Sequence, residues 1–431
     1  MEKRWIKNFD ELAITPNRKI ALEIMEAGLD AINTDQVVES SVSVVGNILF
    51  VKGKPFNLTK YKKIKVIGFG KSSCQAALAL EKILGNRINE GVVIGLQKVD
   101  CKYIETFAGT HPKPSEANIE AGKKIYEIAN KAEEDDLIIV LVSGGGSALL
   151  CYPESEIKEG VKLYDAFLKS DKTIDEINTV RKHLSLLKGG GLVKLAYPAT
   201  VIGLIFSDVP GDIFEDVASG PTYKDKTTVA DAQKIITENN LGDFDLIETP
   251  KEDKYFDNVY NFVLVSNKTA VEAMAKKAEE FDLKANIIST ELYDETEKVL
   301  QKIFSQKSDF GEGQVVLAAG EPEIKVENTK GKIGKGGRNL HMGLEVVKQK
   351  LVDENSVFIS FASDGMDNSD AAGAIVDKNT IEKVIKLNLN VNDYLERFDS
   401  YNFFQKSGDI IMTGPTDANV SDLMILLTKN G

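Results

Sequence analysis

Cysteine is scarce in this chain, and its few copies lie far apart. The 431 residues include only three cysteines, Cys74, Cys101 and Cys151. An odd number at wide spacing suits neither a disulfide framework nor a zinc site built from paired Cys-x-x-Cys ligands. We therefore expect a chain that folds in a reducing compartment, and the cytoplasm fits this expectation best.

Long apolar runs are also missing. No segment approaches the ~20 consecutive apolar residues that a transmembrane helix needs. The charges near the N-terminus are not followed by the apolar stretch of an export signal. The sequence thus predicts neither membrane insertion nor export.

Positive charge is in the minority. The formal net charge of -13 opposes general affinity for nucleic acid or for an anionic membrane. A protein this acidic binds an anion only where cations are concentrated locally. Lysines and arginines inside glycine-rich motifs are therefore the candidate positions for binding a small anionic molecule.

The length and the hydrophobic pattern predict a two-domain α/β fold. A chain of 431 residues exceeds what one core usually organises. Short β-branched runs bounded by glycine alternate with longer helical patterns, which favours mainly parallel sheets. The predicted strands cover residues 64–68, 91–96, 137–142, 200–206, 262–266, 287–289, 315–318 and 357–361. A polar stretch between 239 and 258 predicts a boundary near 250 and hence domains 1–250 and 251–431, with the last segment free to return to the first.

The first glycine-rich turn follows the strand at 64–68 and contains Gly68, Gly70 and Lys71. Lys65 stands where a phosphate-binding P-loop needs glycine, and Ser73 stands where a dinucleotide fingerprint needs glycine. Glycines still let the backbone approach a ligand, and Lys71 supplies a movable positive charge. A tight turn with a solvated lysine explains this segment alone equally well.

The second turn follows a fully apolar strand and carries three glycines between two serines. Its residues are Ser143, Gly144, Gly145, Gly146 and Ser147. Each glycine costs about 0.5 to 1 kcal/mol relative to alanine inside regular structure, which favours a functional reason for all three. A crowded strand-to-helix crossover is the competing interpretation, but it requires only one or two glycines and no flanking serines. A nucleophilic serine is less favoured because the Gly-x-Ser-x-Gly elbow is absent.

Two further segments of the N-terminal half carry candidate polar residues. Apolar spacing from Ile174 to Leu187 predicts a helix whose other face presents Arg181, Ser185 and Lys188, a stripe typical of a solvated surface when taken alone. Asp208 follows the strand at 200–206, at the carboxyl end where open α/β sheets bind ligands. Asp208 is therefore a candidate base or magnesium partner, with a surface turn as the alternative.

The C-terminal half adds polar residues in three short motifs. Glu321 lies in Ala-Gly-Glu-Pro, and Arg338 lies in Gly-Gly-Arg-Asn, where a guanidinium suits bidentate contact with phosphate or carboxylate. A flexible surface loop is the competing interpretation for Arg338. Asp364 opens an acidic stretch that is not a calcium loop, because no glutamate occupies the twelfth position.

The three histidines are isolated from one another in the sequence. His111, His183 and His341 lack the spacing of metal ligands. We therefore expect them to serve as hydrogen-bonded structural residues.

The ordered set of motifs resembles the glycerate 2-kinase family, whose C-terminal part is called the MOFRL domain. The motifs are, in chain order, Gly-Phe-Gly-Lys, Gly-Thr-His-Pro-Lys-Pro, Ser-Gly-Gly-Gly-Ser, Ile-Asn-Thr-Val-Arg-Lys-His-Leu-Ser, Ser-Asp-Val-Pro-Gly-Asp, Ala-Ser-Gly-Pro-Thr, Gly-Gly-Arg-Asn, Ser-Asp-Gly-Met-Asp, Asp-Ala-Ala-Gly-Ala-Ile-Val-Asp and Thr-Gly-Pro-Thr. The resemblance covers nearly the whole chain. It implies an N-terminal Rossmann-like α/β domain with a mainly parallel sheet and a smaller C-terminal α/β domain, facing each other across a cleft that holds the site.

The resemblance also implies an activity, which is transfer of the γ-phosphoryl group of ATP, with Mg²⁺, to the C2 hydroxyl of D-glycerate. Lys71 and Arg338 match the catalytic lysine and arginine of the family, and Asp208 is placed by its position as proton acceptor or metal partner. Ser143 to Ser147 and Arg181 would hold phosphate or the substrate carboxylate. Glu321 and Asp364 complete the candidate binding residues, and a homo-oligomer is compatible with the sequence.

Departures from the family pattern keep two alternatives open. The stretch from Ala362 to Gly373 is one residue shorter than in relatives, and Asp417 stands where glycine is common. One alternative is a hydroxypyruvate reductase, a name sometimes attached to relatives, although the broken dinucleotide fingerprint argues against it. The other is a ligand-binding relative that lost catalytic activity through these departures.

Overall fold

The structure is a computed structural model that describes residues 4–167, 174–209, 214–308, 313–324 and 333–429. It divides into two compact units. We call Thr34–Leu264 the N domain, and Met1–Asn33 together with Val265–Gly431 the C domain. The prediction assigns all of residues 1–250 to the first domain. In the structure the segment before Thr34 belongs to the C domain instead, because the first helices pack with the C-terminal half of the chain.

The strands are β1 (Val42–Val45), β2 (Ile48–Val51), β3 (Lys54–Asn57), β4 (Lys63–Phe69), β5 (Ile88–Gly95), β6 (Glu105–Ala108), β7 (Asp136–Ser143), β8 (Thr200–Phe206), β9 (Val259–Val265), β10 (Lys284–Leu292), β11 (Gln314–Gly320), β12 (Ser356–Ala362), β13 (Gly373–Val376), β14 (Ile410–Ile411) and β15 (Asp422–Thr428).

The helices are α1 (Phe9–Leu12), α2 (Pro16–Ala31), α3 (Thr34–Ser41), α4 (Ser73–Leu84), α5 (Glu116–Asn130), α6 (Gly146–Leu149), α7 (Ser155–Phe167), α8 (Ile174–Lys182), α9 (Gly191–Ala196), α10 (Val229–Glu238), α11 (Asn267–Glu279), α12 (Thr296–Ser305), α13 (Arg338–Gln349), α14 (Lys378–Lys386), α15 (Val391–Glu396) and α16 (Ser400–Ser407). No helix in the described ranges is both long enough and apolar enough to cross a bilayer.

The N domain is built on a six-stranded sheet in the order β6-β5-β4-β7-β8-β9. β4 pairs in parallel with β5 and β7, and β7 pairs in parallel with β8. Every residue of β7 is buried, as expected for a central strand covered by helices on both faces. Because Phe69 pairs with Val142, the turns after β4 and β7 emerge side by side at one edge of the sheet.

The C domain contains a second six-stranded sheet, in the order β10-β11-β15-β12-β13-β14. Only the pair β10 and β11 is parallel among its described pairings. The last strand, β15, lies antiparallel between β11 and β12. The prediction of mainly parallel sheets is therefore confirmed for the N domain and wrong for the C domain.

The segment after α8 also differs from its prediction. The predicted helix from Ile174 to Leu187 ends at Lys182. Ser185 and Lys188 are buried, and Lys188 forms an ion pair with the buried Glu156. The expected solvated stripe is thus wrong for these two residues, because the chain turns into the core after α8.

A buried arginine anchors the first long helix to the rest of the C domain. Arg18 on α2 is fully buried, and its Nε and Nη2 donate to Asp377 at 2.8 and 2.6 Å. Its Nη1 donates to Asp409 at 2.8 Å. Asp409 also accepts from Lys383, whose side chain is 34% exposed. The buried charge of Arg18 is therefore neutralised by carboxylates of the C-terminal half.

Replacing Arg18 by methionine is expected to destabilise the C domain by about 3 to 5 kcal/mol, because it removes the arginine from the buried Asp377 and leaves the buried Asp409 with only the partly solvated Lys383. Lys383→Met is the matched control and should cost about 1 kcal/mol or less, since Lys383 is partly solvated. Urea unfolding of both variants measures the difference. Equal losses would contradict the anchoring role of Arg18.

Candidate active site

The two glycine-rich turns of the N domain are joined by Ser143. Its hydroxyl accepts from the backbone N–H of Ser72 at 3.1 Å and lies 3.0 Å from the hydroxyl of Ser73. The backbone N–H of Lys71 donates to the carbonyl of Gly144 at 2.8 Å. Any side chain at Gly70 would collide with Ser143, whose Oγ lies 2.2 Å from the position of a Cβ. The two turns therefore form one continuous surface.

Ser143 itself is buried, so its hydroxyl holds the turns together from inside. In the next two residues the carbonyl groups accept hydrogen bonds, but the N–H groups are available. In the described part of the chain, the N–H groups of Gly144 and Gly145 donate to no protein acceptor. Unpaired amides at a turn form a concave surface that attracts anions.

Three side chains surround this pair of amides. A Cβ on Gly144 would lie 1.9 Å from Oδ2 of Asp208, so the carboxylate rests directly against Gly144. A Cβ on Gly145 would lie 3.1 Å from Cγ of Lys71 and 3.2 Å from Cδ2 of His111. The structure thus brings together Lys71, Asp208 and the second turn. Residues 210–212, which end the motif that begins at Ser207, lie outside the described residues.

His111 is an exposed residue that the sequence analysis assigned a structural role. Partial desolvation by surrounding atoms, followed by repulsion from Lys71 and Arg181, lowers the pKa of His111 to about 4. The imidazole is therefore neutral at pH 7. The proximity of His111 to the turn was missed because the two residues are 34 positions apart in the sequence.

The other two histidines differ in their hydrogen bonding. His183 is buried, and its ring nitrogens lie 2.9 Å from the carbonyl of Ile247 and 3.3 Å from Oγ1 of Thr227. Its predicted structural role is confirmed. His341 stacks on Phe398, and its buried Nδ1 has no hydrogen-bond partner in the described structure. The hydrogen-bonded role expected for His341 is therefore not observed at that atom.

A chain of polar contacts leads from the second turn to α8. Oγ of Ser147 lies 2.8 Å from Oγ of Ser219, which donates to Oδ1 of Asn178 at 3.4 Å. The same Oδ1 accepts from Nη1 of Arg181 at 3.2 Å. Ala218 and Ser219 adopt left-handed φ values of 54° and 61°. Non-glycine residues rarely occupy this region, and such strain concentrates at functional sites.

In the C domain, Arg338 lies at the first position of α13 between two carboxylates. Its Nε donates to Oδ2 of Asp422 at 2.8 Å, and its Nη1 lies 3.4 Å from Oε2 of Glu321. The structure thus brings together the predicted residues Arg338 and Glu321. The carboxylates hold the guanidinium in one orientation.

A second buried carboxylate supports the start of α13. Asp367 accepts from the backbone N–H groups of Asn339 and Leu340 at 3.1 and 2.8 Å, and so caps the helix. The side-chain amide of Asn339 donates to both Asp367 and Asp422. Asp364 lies in a different turn, where its Oδ1 accepts from the N–H of Met366. Asp422 was missed because it begins an apolar strand that contains no motif.

Burial dominates the electrostatics of Asp422. It raises the pKa of Asp422 to about 7, with Arg338 and Asn339 acting in the opposite direction and Asp367 and Glu321 adding to the rise. The pKa of Asp367 is raised as well, again chiefly by burial. The partner of Arg338 therefore titrates near neutral pH.

Comparisons with known proteins identify relatives over nearly the whole chain. Residues 20–245 match a family described as "Domain of unknown function (DUF4147)", and residues 314–422 match the MOFRL family. A Pyrococcus horikoshii protein named "Glycerate 2-kinase" is 36% identical over 96% of this chain and 98% of its own length. A Thermotoga maritima protein named "D-glycerate 2-kinase" is 31% identical over 95% and 97%. The crystal structure of a Thermotoga maritima glycerate kinase superposes with a TM-score of 0.82 at 30% identity, covering 95% of this chain and 99% of that one.

The raised pKa of Asp422 predicts a pH-dependent stability difference. Between about pH 4 and 7 the folded protein keeps a proton that an unfolded aspartate has lost, so this group lowers the unfolding free energy as pH rises. Asp422→Asn removes that effect. The unfolding free energy of the variant should therefore rise relative to wild type from about pH 5 to 7 and then level off.

Asp370→Asn is the control for this measurement. Asp370 is 61% exposed, and its hydrogen bond from Lys335 lowers its pKa. Its difference from wild type should be flat between pH 5 and 8, because it titrates well below this range. Denaturant unfolding across the pH series measures both differences, and a flat Asp422→Asn difference would contradict the assignment.

Proposed function

Because this chain belongs to the glycerate 2-kinase family, with a DUF4147 region followed by a MOFRL region, we propose that it transfers the γ-phosphoryl group of ATP to the C2 hydroxyl of D-glycerate. The products are 2-phosphoglycerate and ADP. The observation that carries the proposal is the joined glycine surface of the N domain, with Lys71 on it. This surface places amides and a cation together in a chain of net charge -13.

Lys71 and Arg338 are proposed to stabilise the transferred phosphoryl group. Phosphoryl transfer depends mainly on positioning and on cations that neutralise charge as it develops. Lys71 is partly buried against Gly145, and Arg338 is fixed by Asp422 and Glu321. Both cations are thus held by protein contacts before a substrate arrives, which reduces reorganisation during the reaction.

Asp208 is proposed to take the proton of the accepting hydroxyl or to contact Mg²⁺. In the reaction the C2 oxygen forms a bond to the γ-phosphorus, the bond to the β–γ bridging oxygen breaks, and the hydroxyl proton passes to a base. The carboxylate of Asp208 lies on the anion-binding surface, against Gly144. The described residues contain no cluster of three or more metal-ligating side chains. One carboxylate together with nucleotide phosphates is nevertheless a common way to hold Mg²⁺, which would neutralise phosphate charge.

A cytoplasmic location is also proposed. All three cysteines are free thiols, and burial raises the pKa of Cys74 and Cys151 to about 12. Unpaired thiols in these surroundings are consistent with a reducing compartment.

Phosphorus NMR after incubation with ATP, Mg²⁺ and D-glycerate should show a 2-phospho ester. Lys71→Met should lower kcat about 100- to 1000-fold, because a cation at the reacting phosphoryl group is lost. Lys98→Met is the control, since Lys98 is exposed and lies outside the turns. If no small hydroxy acid leads to ATP consumption, the proposal is contradicted. Oxidation of NADH or NADPH by hydroxypyruvate would favour a reductase instead.

Gly144→Ala tests the contact between the turn and Asp208. The new methyl group would strike the carboxylate, and we expect kcat/KM for D-glycerate to fall at least about 10-fold through displacement of Asp208. Gly160→Ala on α7 is the control, because its Cβ would meet no atom within 4 Å. Equal activity of the two variants would argue against a role for this contact.

A further inference from the structure

Arg181 is a cation with an incomplete set of partners. Among the described residues, its only hydrogen-bond acceptor is the neutral Oδ1 of Asn178, at 3.2 Å. No described carboxylate lies within ion-pairing distance of its guanidinium. The buried carboxylate of Glu156 acts on Arg181 only at longer range and is already paired with Lys188. The positive charge is therefore not neutralised locally by any residue of the described ranges.

The surroundings make this charge unfavourable without a ligand. Arg181 is only partly exposed, and burial lowers its pKa. A guanidinium withdrawn from water is costly unless it is paired and its N–H groups are satisfied. Asn178 uses one of its N–H groups and fixes its direction, which leaves the remaining donors to another acceptor. This arrangement fits an anion that comes from outside the protein.

Arg181 and Lys71 connect to the second turn at different residues. Lys71 contacts Gly145, whereas Arg181 is linked to Ser147 by a chain of hydrogen bonds through Ser219 and Asn178. Both cations act on the imidazole of His111. A small molecule lying along this turn would therefore meet Lys71 near Gly145 and Arg181 beyond Ser147.

We propose that Arg181 binds the carboxylate of the phosphoryl acceptor, so that this turn selects short 2-hydroxy acids over uncharged alcohols. The inference rests on the proposed kinase function and assigns the acid group of its acceptor to one residue. A guanidinium can donate two parallel N–H···O bonds to a carboxylate, a geometry that an ammonium group cannot reproduce. With the acid group at Arg181, Lys71 on the same turn is left to meet the transferred phosphoryl group.

The first test compares binding of D-glycerate with binding of glyceramide, its uncharged amide analogue. Calorimetry with wild type should show a clear preference for the acid. In Arg181→Met the affinity for D-glycerate should fall about 10- to 100-fold, as expected for loss of a charged hydrogen-bond pair, while affinity for glyceramide and ATP stays unchanged. Arg87→Met is the matched control, because Arg87 is an exposed arginine of the same domain.

Asn178→Asp provides a second test that keeps Arg181 in place. The new carboxylate would lie about 3.2 Å from Nη1 of Arg181 and would compete with the acid group of the ligand. D-glycerate affinity should fall at least about 10-fold, while thermal stability is retained because an ion pair replaces a neutral contact. A purely structural Arg181 would leave the affinity unchanged in this variant.

Three results would overturn the inference. One is a wild-type protein that binds D-glycerate no better than glyceramide, and another is an unchanged acid preference in both variants. The third is a loss of ATP affinity with the acid preference intact, which would assign Arg181 to a nucleotide phosphate. These binding measurements need no turnover, so absence of phosphoryl transfer in wild type would count against the proposed function separately.

Discussion

The parallel pairing of β4 with β7 is the constraint on which the candidate site depends. It places two glycine-rich turns at the same sheet edge, and the hydroxyl of Ser143 then joins them. Lys71 belongs to one turn and the amides of Gly144 and Gly145 to the other. Neither turn alone has both a cation and free amides. The combination of a cation with unpaired amides therefore comes from strand register more than from either motif.

The two arginines illustrate different ways to hold a cation in an acidic protein. Arg338 is fixed between Asp422 and Glu321, and these carboxylates keep its pKa raised despite burial. Arg181 is fixed by the neutral Asn178, and burial lowers its pKa. An anion that approaches Arg338 must share it with acidic partners, whereas Arg181 offers an unshared charge. The first arrangement favours precise placement of the guanidinium, and the second favours affinity for an added anion.

Sequence reasoning succeeded where local pattern controls structure. The strand at 200–206 and the burial of the strand before the second turn follow from short apolar runs bounded by polar or glycine residues. It failed where segments far apart in the sequence determine the structure together. β15 enters its sheet antiparallel between two other strands, and Arg18 pairs with carboxylates more than 350 positions away. Asp422 and Asn178 were overlooked for the same reason, since their importance lies in which arginine they contact.

The three glycines of the second turn also show why a motif alone left its cause open. Gly144 admits the carboxylate of Asp208, and Gly145 adopts a φ of 75° against Lys71 and His111. Gly146 has a different neighbour, because a Cβ there would lie 2.5 Å from Cβ of Ala218. Ala218 and Ser219 are held in left-handed conformations that cost of order 1 to 3 kcal/mol each. The third glycine thus serves packing: it lets this strained segment approach closely enough for Ser219 to connect the turn with Asn178 and Arg181. Crowding and a polar role for this turn are therefore not alternatives here, since the crowded contact is what links the second turn to Arg181 through Ser219 and Asn178.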